Sequence, residues 1–215
     1  MKFYYLRRDA EVMGTVPQAS KVIGDYNFNH PCSVFKIASL KEFDRIIFPK
    51  GLYMKPRARF TDLTGLSITS FALVFSEAFN QVLKNFRLPE GRWDSLILKK
   101  GKTERKYTIY SSYSQEDSYL DFKSTDFELY NSEERQSTKI AINNYEDYLS
   151  LKESLNSDPD QRILCRHPKF NPEAVKEDLF LMPTCANGFG YIVTESLKIA
   201  LENARLTGVI LEEIT

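Results

Sequence analysis

The stretches "FALVFSEAFNQVLKNFRLP" (residues 71–89) and "FGYIVTESLKIALENARLT" (residues 189–207) resemble each other within one chain of 215 residues. Each opens with a short apolar run, which is typical of a buried strand. Ser76 follows the first run and Thr194 follows the second, and a hydroxyl residue at this point favours a helix start. Apolar residues then recur at the i, i+3, i+4, i+7 spacing of one helical face. We therefore predict two similar strand-helix units.

The two stretches also agree in charge and in several identical residues. Glu77 and Glu195 fall in the first helical turn, where a negative charge interacts favourably with the helix dipole. Identical residues occupy the aligned pairs Phe71/Phe189, Glu77/Glu195, Leu83/Leu201, Asn85/Asn203, Arg87/Arg205 and Leu88/Leu206. Duplication of one unit and convergence of two generic segments both explain the similarity, because a single pair falls short of a repeat array. We expect the units to cover two parts of one sheet.

Further strand-like runs, rich in β-branched and aromatic residues, make the sheet content substantial. They read "KFYYL", "SVFKIA", "RIIF", "SLILK", "KYTIYSSY", "FELY", "TKIAI", "DLFLM" and "VILEEI". Residues 144–156 space their apolar side chains as a helix does and predict a third helix. The predicted fold is α+β: a mixed, largely antiparallel sheet with about three helices packed on it. We expect residues 1–215 to form one domain, with an exposed linker at 156–162 as the candidate boundary because Pro159 and its polar neighbours favour a turn.

The charges of the chain balance, with 29 Lys plus Arg and 29 Asp plus Glu. A neutral molecule gives no electrostatic reason to expect general nucleic-acid binding. Arg7 and Arg8 interrupt the N-terminal apolar residues too early for a secretory signal, and no apolar run is long enough to span a bilayer. The three cysteines are widely spaced, which argues against a disulfide framework and for a reducing compartment. The sequence therefore predicts a cytoplasmic protein that does not enter a membrane.

No pattern in the chain strongly indicates a catalytic, cofactor-binding or metal site. His30 and Cys32, together with Cys165 and His167, are a permissible ligand set for tetrahedral zinc. A single intervening residue within each pair strains simultaneous chelation, so ordinary burial or surface placement is the favoured interpretation. The same residues contain a Cys-His pair, but no orienting acid or oxyanion site accompanies it. "GFG" at 188–190 precedes a strand, unlike a phosphate-binding glycine loop, so we expect neither cofactor nor metal.

The most asymmetric region is the acidic stretch "SQEDSYLDFKSTDFELYNSEE" (residues 114–134), which contains the single base Lys123. Its acidic residues are Glu116, Asp117, Asp121, Asp126, Glu128, Glu133 and Glu134. A solvated face is the usual role of such a run, a docking surface for a basic partner comes second, and a carboxylate catalytic or metal site comes third. Asp121 and Ser124 are spaced for a local side-chain turn. These acidic residues are the candidate partner-binding residues of the sequence.

An ordered set of segments resembles a family of bacterial immunity proteins. The segments are "FTDLTGLSITSFALVFSEAFNQVL", "KYTIYSSY", "YLDFKSTDFEL", "KEDLFLM" and "YIVTESLKIALENARLTGVILEEI". The family is the eleventh of its kind, was formerly a domain of unknown function, and is encoded beside toxins of polymorphic and type VI secretion systems. The matching positions are Asp62, Ser76, Glu77, Tyr107, Tyr110, Asp121, Ser124, Phe180, Thr194, Glu195, Leu206 and Gly208. Thr194 stands where the family pattern has Ser, which keeps the capping hydroxyl.

This resemblance implies a cytoplasmic protein that protects its producer by binding a cognate protein toxin. Inhibition would be stoichiometric, by occlusion of the toxin, and no catalytic residue is carried over from the family. Two alternatives remain: a small cytoplasmic hydrolase or modifying enzyme that uses the acidic stretch or the Cys and His residues, and an adaptor module for a non-toxic partner. An enzyme would act below equimolar amounts, whereas an inhibitor requires near-equimolar protein.

Overall fold

The computed structural model describes residues 1–34, 36, 45–66, 72–114, 117–158, 160–182 and 190–215. Within these residues the chain forms twelve strands and four α-helices. The strands are β1 (Phe3–Arg8), β2 (Ala19–Val22), β3 (Gly51–Met54), β4 (Ala72–Ser76), β5 (Gly91–Lys100), β6 (Thr103–Ser112), β7 (Asp126–Asn131), β8 (Gln136–Ile140), β9 (Gln161–His167), β10 (Leu179–Met182), β11 (Gly190–Thr194) and β12 (Val209–Glu213). The helices are α1 (Ala10–Met13), α2 (Glu77–Leu83), α3 (Tyr145–Ser154) and α4 (Glu195–Asn203).

The α+β class is confirmed, and the three predicted helices are α2, α3 and α4. Helix α1 is an additional single turn, which Asp9 caps by accepting hydrogen bonds from two backbone N–H groups. The run "RIIF" forms only an isolated bridge, from Ile47 to Ser33. Half of the run "SVFKIA" lies outside the described residues, as do Phe71, Phe189, Pro159, Cys185 and the first two residues of "GFG".

The described strands divide among three sheets. Sheet 1 has the order β10-β11-β1-β12, sheet 2 has the order β2-β3-β5-β6-β4, and sheet 3 has the order β8-β7-β9. Pairing is antiparallel except between β3 and β5, which agrees with the mixed, largely antiparallel prediction. The expectation that both strand-helix units cover one sheet is wrong, because β4 belongs to sheet 2 and β11 to sheet 1.

Three hydrophobic clusters hold the sheets together. The first cluster lies on one face of sheet 2 and includes Leu98 and Ile109. The central cluster joins sheets 1 and 2, and contains Phe79 of α2 and Leu197 of α4. The third cluster joins sheet 1 to sheet 3 and α3, around the fully buried Tyr148. Each sheet is therefore buried on at least one face, which sets the period-two burial of its strands.

The two strand-helix units have the same strand register. In the first unit (β4, α2 and β5), Ser76 pairs with Tyr107 of β6. In the second unit (β11, α4 and β12), Thr194 pairs with Phe3 of β1. After each helix the chain returns antiparallel to the same middle strand, because Gly91 pairs with Ser112 in the first unit and Val209 pairs with Arg8 in the second. The same number of residues separates the paired positions in both units, which favours duplication over convergence.

The strand that pairs with both strands of a unit, β6 in the first unit and β1 in the second, comes from a different part of the chain in each case. β6 follows β5 directly through the hairpin turn at Gly101, which has a positive φ. β1 lies at the other end of the sequence from β11 and β12, between which it pairs. In sheet 1, the first strand of the chain, β1, is therefore paired with the last two strands, β11 and β12.

A carboxylate ties each unit to the other. Asp62 Oδ1 accepts a hydrogen bond from the Ser76 hydroxyl at 2.6 Å, at the start of α2. Asp62 Oδ2 accepts from the backbone N–H of Thr207 at 2.8 Å and from its hydroxyl at 2.7 Å, just after α4. Gly208 makes this approach sterically allowed, because a Cβ there would lie 2.6 Å from the Leu63 carbonyl oxygen. Asp62 therefore joins the N-cap of one helix to the exit of the other.

Asp178 makes the reciprocal set of contacts. Its Oδ1 accepts from the Thr194 hydroxyl at 3.1 Å, at the start of α4. Its Oδ2 accepts from the backbone N–H of Arg87 at 3.0 Å and from Arg87 Nε at 3.3 Å, just after α2. Burial alone would raise the pKa of both Asp62 and Asp178, but these hydrogen bonds outweigh burial and lower it.

Two local predictions need correction. Ser76 caps α2 as expected, with its Oγ accepting from the Phe79 N–H at 3.3 Å, but Thr194 makes no side-chain cap and its hydroxyl binds Asp178 instead. The expected linker at 156–162 is partly strand, since Gln161 and Arg162 begin β9. The elements on both sides of it, α3 and β9, pack in the third cluster.

Candidate protein-binding surfaces

The residues of the acidic stretch lie in several environments, and Glu116 lies outside the described residues. Asp117 is only 3% exposed. Its Oδ2 accepts hydrogen bonds from the Tyr148 hydroxyl at 2.7 Å and from Lys152 Nζ at 3.2 Å. These bonds satisfy a buried charge and fix α3 to the preceding turn. Asp117 is therefore part of the core and does not belong to a docking surface.

Asp121 holds the predicted local turn. Its Oδ2 accepts from the Ser124 hydroxyl at 2.7 Å, and its Oδ1 accepts from the backbone N–H of Lys123 at 3.2 Å. The backbone carbonyl of Asp121 also accepts from the N–H of Thr125. The structural role expected for Asp121 and Ser124 is confirmed.

Asp126 and Glu128 are paired with bases that follow the acidic stretch in sequence. Asp126 Oδ1 lies 2.7 Å from Lys139 Nζ, and Glu128 Oε2 lies 2.8 Å from Arg166 Nε. The hydrogen bond from Lys139 lowers the pKa of Asp126, and the hydrogen bond from Arg166 lowers that of Glu128. Both carboxylates stay ionised, with much of their charge compensated by neighbouring strands.

Glu133 and Glu134 are exposed in the turn between β7 and β8. Their backbone N–H groups donate to Asn131 Oδ1 at 2.9 and 3.1 Å, which shapes the turn and leaves the carboxylates at the surface. The docking role of the acidic stretch stays a prediction. Most of its described carboxylates are already engaged by the protein itself.

The Cys and His residues are spread over different environments. Cys165 is fully buried in the third cluster, whereas His167 at the end of β9 is exposed. His30 Nδ1 accepts a hydrogen bond from the backbone N–H of Cys32 at 3.0 Å. Among the described residues, no three His, Cys, Asp or Glu side chains are placed to hold a metal ion together.

None of the helices in the described ranges has both the length and the apolar character that crossing a bilayer requires.

An uncovered surface that sequence reasoning missed is part of one face of sheet 2. In β5, Leu96 and Leu98 are buried in the first cluster, so Ser95 and Ile97 face the opposite side. We call this surface the open sheet face. It consists of Lys21, Tyr53, Trp93, Ser95, Ile97, Lys99, Glu104, Lys106 and Thr108.

Three large apolar or aromatic side chains lie on the open sheet face with much of their surface in solvent. The exposed fractions are 46% for Trp93, 40% for Ile97 and 39% for Tyr53. Trp93 is the only tryptophan of the chain. Its ring packs at 4.6 Å from the Tyr110 ring and at 6.1 Å from the Phe75 ring, between ring centroids. Packing holds one side of the indole in place while the other side stays accessible.

A groove of about 470 Å³ runs between α2 and the open sheet face. Glu77 and Asn80 of α2 form one wall, and Trp93, Lys106 and Thr108 are among the residues of the floor and opposite wall. Hydrogen bonds from Asn80 and from Gln81 lower the pKa of Glu77, and Lys84 Nζ, 3.6 Å from Glu77 Oε1, compensates the charge of this carboxylate. The groove has room for one or two side chains of another molecule.

The rest of the open sheet face is basic. Lys21 lies over the Tyr53 ring at 6.0 Å, and Lys99 pairs with Glu104 at 2.6 Å. The hydrogen bond from Glu104 raises the pKa of Lys99, which keeps that lysine charged. Within the part of the chain that the structure describes, Lys106 forms no ion pair. An aromatic patch bordered by lysines is typical of a binding surface.

No protein-family model matches the chain, and no curated protein matches it either.

Proposed function

We propose that this protein is a bacterial immunity protein that binds a cognate secreted toxin in the cytoplasm and neutralises it by stoichiometric occlusion. The observation that carries the proposal is the open sheet face, on which Trp93, Ile97 and Tyr53 are exposed together. Aromatic residues are enriched in the buried centres of protein interfaces, and a few such anchors supply most of the binding energy. The segments that resemble the immunity family supply the class of partner.

Occlusion requires an interface large enough to exclude substrate from the toxin. A stable interface buries about 1,600 Å² in total, or roughly 800 Å² on each partner. The open sheet face and the adjoining surface of α2 provide a rigid platform, because β5 and β6 are paired along their whole length. A rigid surface loses little conformational entropy on binding, which favours affinity.

The test uses the polypeptide encoded by the gene adjacent to this one in its native genome. We expect expression of that polypeptide alone to stop growth, and co-expression of this protein to restore growth with recovery of a one-to-one complex. An enzyme would instead protect cells when present far below the level of the toxin. An adjacent polypeptide that is harmless, or that forms no complex with this protein, would contradict the immunity function.

A further inference from the structure

The two units can be compared position by position, because their strand registers agree. Lys106 of β6 corresponds to Lys2, which precedes Phe3 of β1, and Ser95 of β5 corresponds to Glu213 of β12. In the second unit, Lys2 Nζ lies 2.8 Å from Glu213 Oε1. The first unit has a serine in place of that glutamate, and among the residues that the structure describes no carboxylate pairs with the Lys106 ammonium.

The contact between helix and sheet also involves larger side chains in the second unit than in the first. Asn80 of α2 corresponds to Lys198 of α4, and Thr108 of β6 corresponds to Tyr4 of β1. Lys198 Nζ lies over the Tyr4 ring at 5.4 Å, and Tyr4 is buried. The shorter Asn80 and Thr108 instead line the groove beside Trp93. In the second unit, Lys198 therefore covers the position that corresponds to the groove. In the first unit this position is open.

The local charge of the first unit is positive. On the open sheet face itself, the bases Lys21, Lys99 and Lys106 outnumber the one acid, Glu104, which pairs with Lys99. Like charges facing each other across an interface are unfavourable, and a basic rim therefore selects an acidic partner.

We infer that the open sheet face is the toxin-docking surface, and that the toxin places there a carboxylate and an apolar side chain. The carboxylate pairs with Lys106, where Glu213 pairs with Lys2 in the second unit. The apolar side chain enters the groove against Trp93 and Ile97. This inference rests on the proposed immunity function and adds to it the location and chemistry of the contact: an acidic protein surface, not a basic one.

The first experiment observes the face without altering it. The chain is labelled with 5-fluorotryptophan, so that its one tryptophan gives a single fluorine resonance from position 93. We expect the polypeptide from the adjacent gene to shift this resonance, and a short oligothymidylate to leave it unchanged. A resonance that moves with the oligonucleotide and not with the polypeptide would overturn the inference, because the face would then bind single strands.

The second experiment gives the open sheet face the carboxylate that the second unit has at the corresponding position. Ser95→Glu supplies the carboxylate that Glu213 supplies in the second unit, and we expect it to weaken binding of the same polypeptide about tenfold while the fold is kept. Its matched control is Glu213→Ser, which opens the equivalent position of the second unit and leaves affinity unchanged. Lys106→Glu should weaken binding at least as much, whereas Lys176→Glu, at an exposed lysine on another surface, should not.

The third experiment tests the apolar anchor. We expect Trp93→Ala to weaken binding at least about 30-fold, as for a hot-spot residue. Ile97→Glu tests the same contact without removing the packing of the indole ring. Its control is Ile210→Glu, at an isoleucine that is 43% exposed on β12. Circular dichroism spectra and urea unfolding of each variant separate loss of binding from loss of fold.

The outcomes separate the two proposals. If the adjacent polypeptide is toxic and bound, but the open-face variants bind it as the wild type does and the fluorine resonance is unmoved, the docking inference is overturned and the immunity function stands. If the polypeptide is neither toxic nor bound, the immunity function fails, and the inference built on it fails as well.

Discussion

At the scale of single residues, Asp62 and Asp178 carry the contacts that join the two units. Each accepts hydrogen bonds from the residue that immediately precedes one helix and from the chain just after the other helix. A carboxylate accepts such bonds best when it is ionised, which is why the pKa of both residues lies below the ordinary value despite burial. The junction between the units is therefore sensitive to acid.

A group whose pKa is lower in the folded state stabilises that state above its unfolded pKa, and this contribution disappears as the pH falls through the folded pKa. We expect the free energy of unfolding to fall below about pH 5, where unfolded aspartate begins to take up protons. The Asp62→Asn, Asp178→Asn double variant should be less stable at neutral pH and should lose less of its stability on acidification.

Urea unfolding at several pH values measures this difference. The control is Asp25→Asn, at an exposed aspartate that accepts no hydrogen bond within the described residues. Parallel pH profiles for the double variant and the wild type would show that the two junction carboxylates do not carry the effect.

Gly208 is the second residue on which the junction depends. It has a φ of 78°, and a Cβ would lie 2.6 Å from the Leu63 carbonyl oxygen. Gly101 also has a positive φ, of 58°, but a Cβ there would meet no atom within 4 Å. We expect Gly101→Ala to cost about 1–2 kcal/mol, from backbone strain alone, and Gly208→Ala to cost clearly more.

Urea or thermal unfolding of the two alanine variants gives the comparison, with identical chemistry at both positions. Equal losses of stability would mean that the chain after α4 does not approach residues 61–63 as closely as the structure shows.

At the scale of elements, the position of β1 between β11 and β12 interlocks the two ends of the chain. Cleavage of the exposed turn between Glu133 and Glu134, through an inserted protease site, would separate β1 from β11 and β12 in sequence. We expect the two fragments to co-elute in size-exclusion chromatography, because β1 of the first fragment stays paired with β11 at four positions and with β12 at five positions of the second fragment.

A cleaved variant that also carries Leu6→Asp provides the control for this prediction. Leu6 is buried in the central cluster, so an aspartate there destabilises β1 and the fragments should separate. Separation of the cleaved chain without that substitution would contradict the interlocked arrangement of sheet 1.

The elements that sequence could predict are those whose local signals agree. The apolar run before Ser76 predicted a strand, and the hydroxyl of Ser76 predicted a helix cap. Both features are present, in β4 and at the start of α2. Thr194 carries the same signal, yet its hydroxyl is bound by Asp178, a residue sixteen positions away. The repeated dipeptide Asp-Leu, at 62–63 and 178–179, was the available signal for the two junction carboxylates. Strands β2 and β3 are short and have little period-two alternation, so sequence did not reveal them.

The candidate site was harder to predict because charge and exposure are properties of the folded surface. The acidic stretch is asymmetric in sequence, but Lys139, Lys152 and Arg166 reach it from later elements. The exposure of Trp93 could not be predicted from sequence, since an aromatic residue in a strand is ordinarily expected in the core. Its exposure follows from the length of α2, which ends at Leu83 and covers only part of sheet 2.

At the scale of the whole molecule, two units of the same register differ in how their surfaces are covered. The second unit neutralises Lys2 with Glu213 and covers Tyr4 with Lys198. The first unit leaves the corresponding positions open beside Trp93. This difference is what the proposed docking role of the open sheet face requires, since an intramolecular partner at that position would compete with a second molecule.

The measurement that tests this view most directly is a titration of the purified adjacent-gene polypeptide with this protein, following its toxic activity. Stoichiometric occlusion predicts that activity falls in proportion to the protein added and is abolished at one equivalent, with the Ser95→Glu variant requiring an excess. Complete loss of activity at a small fraction of an equivalent, or undiminished activity at an excess of the wild-type protein, would contradict it.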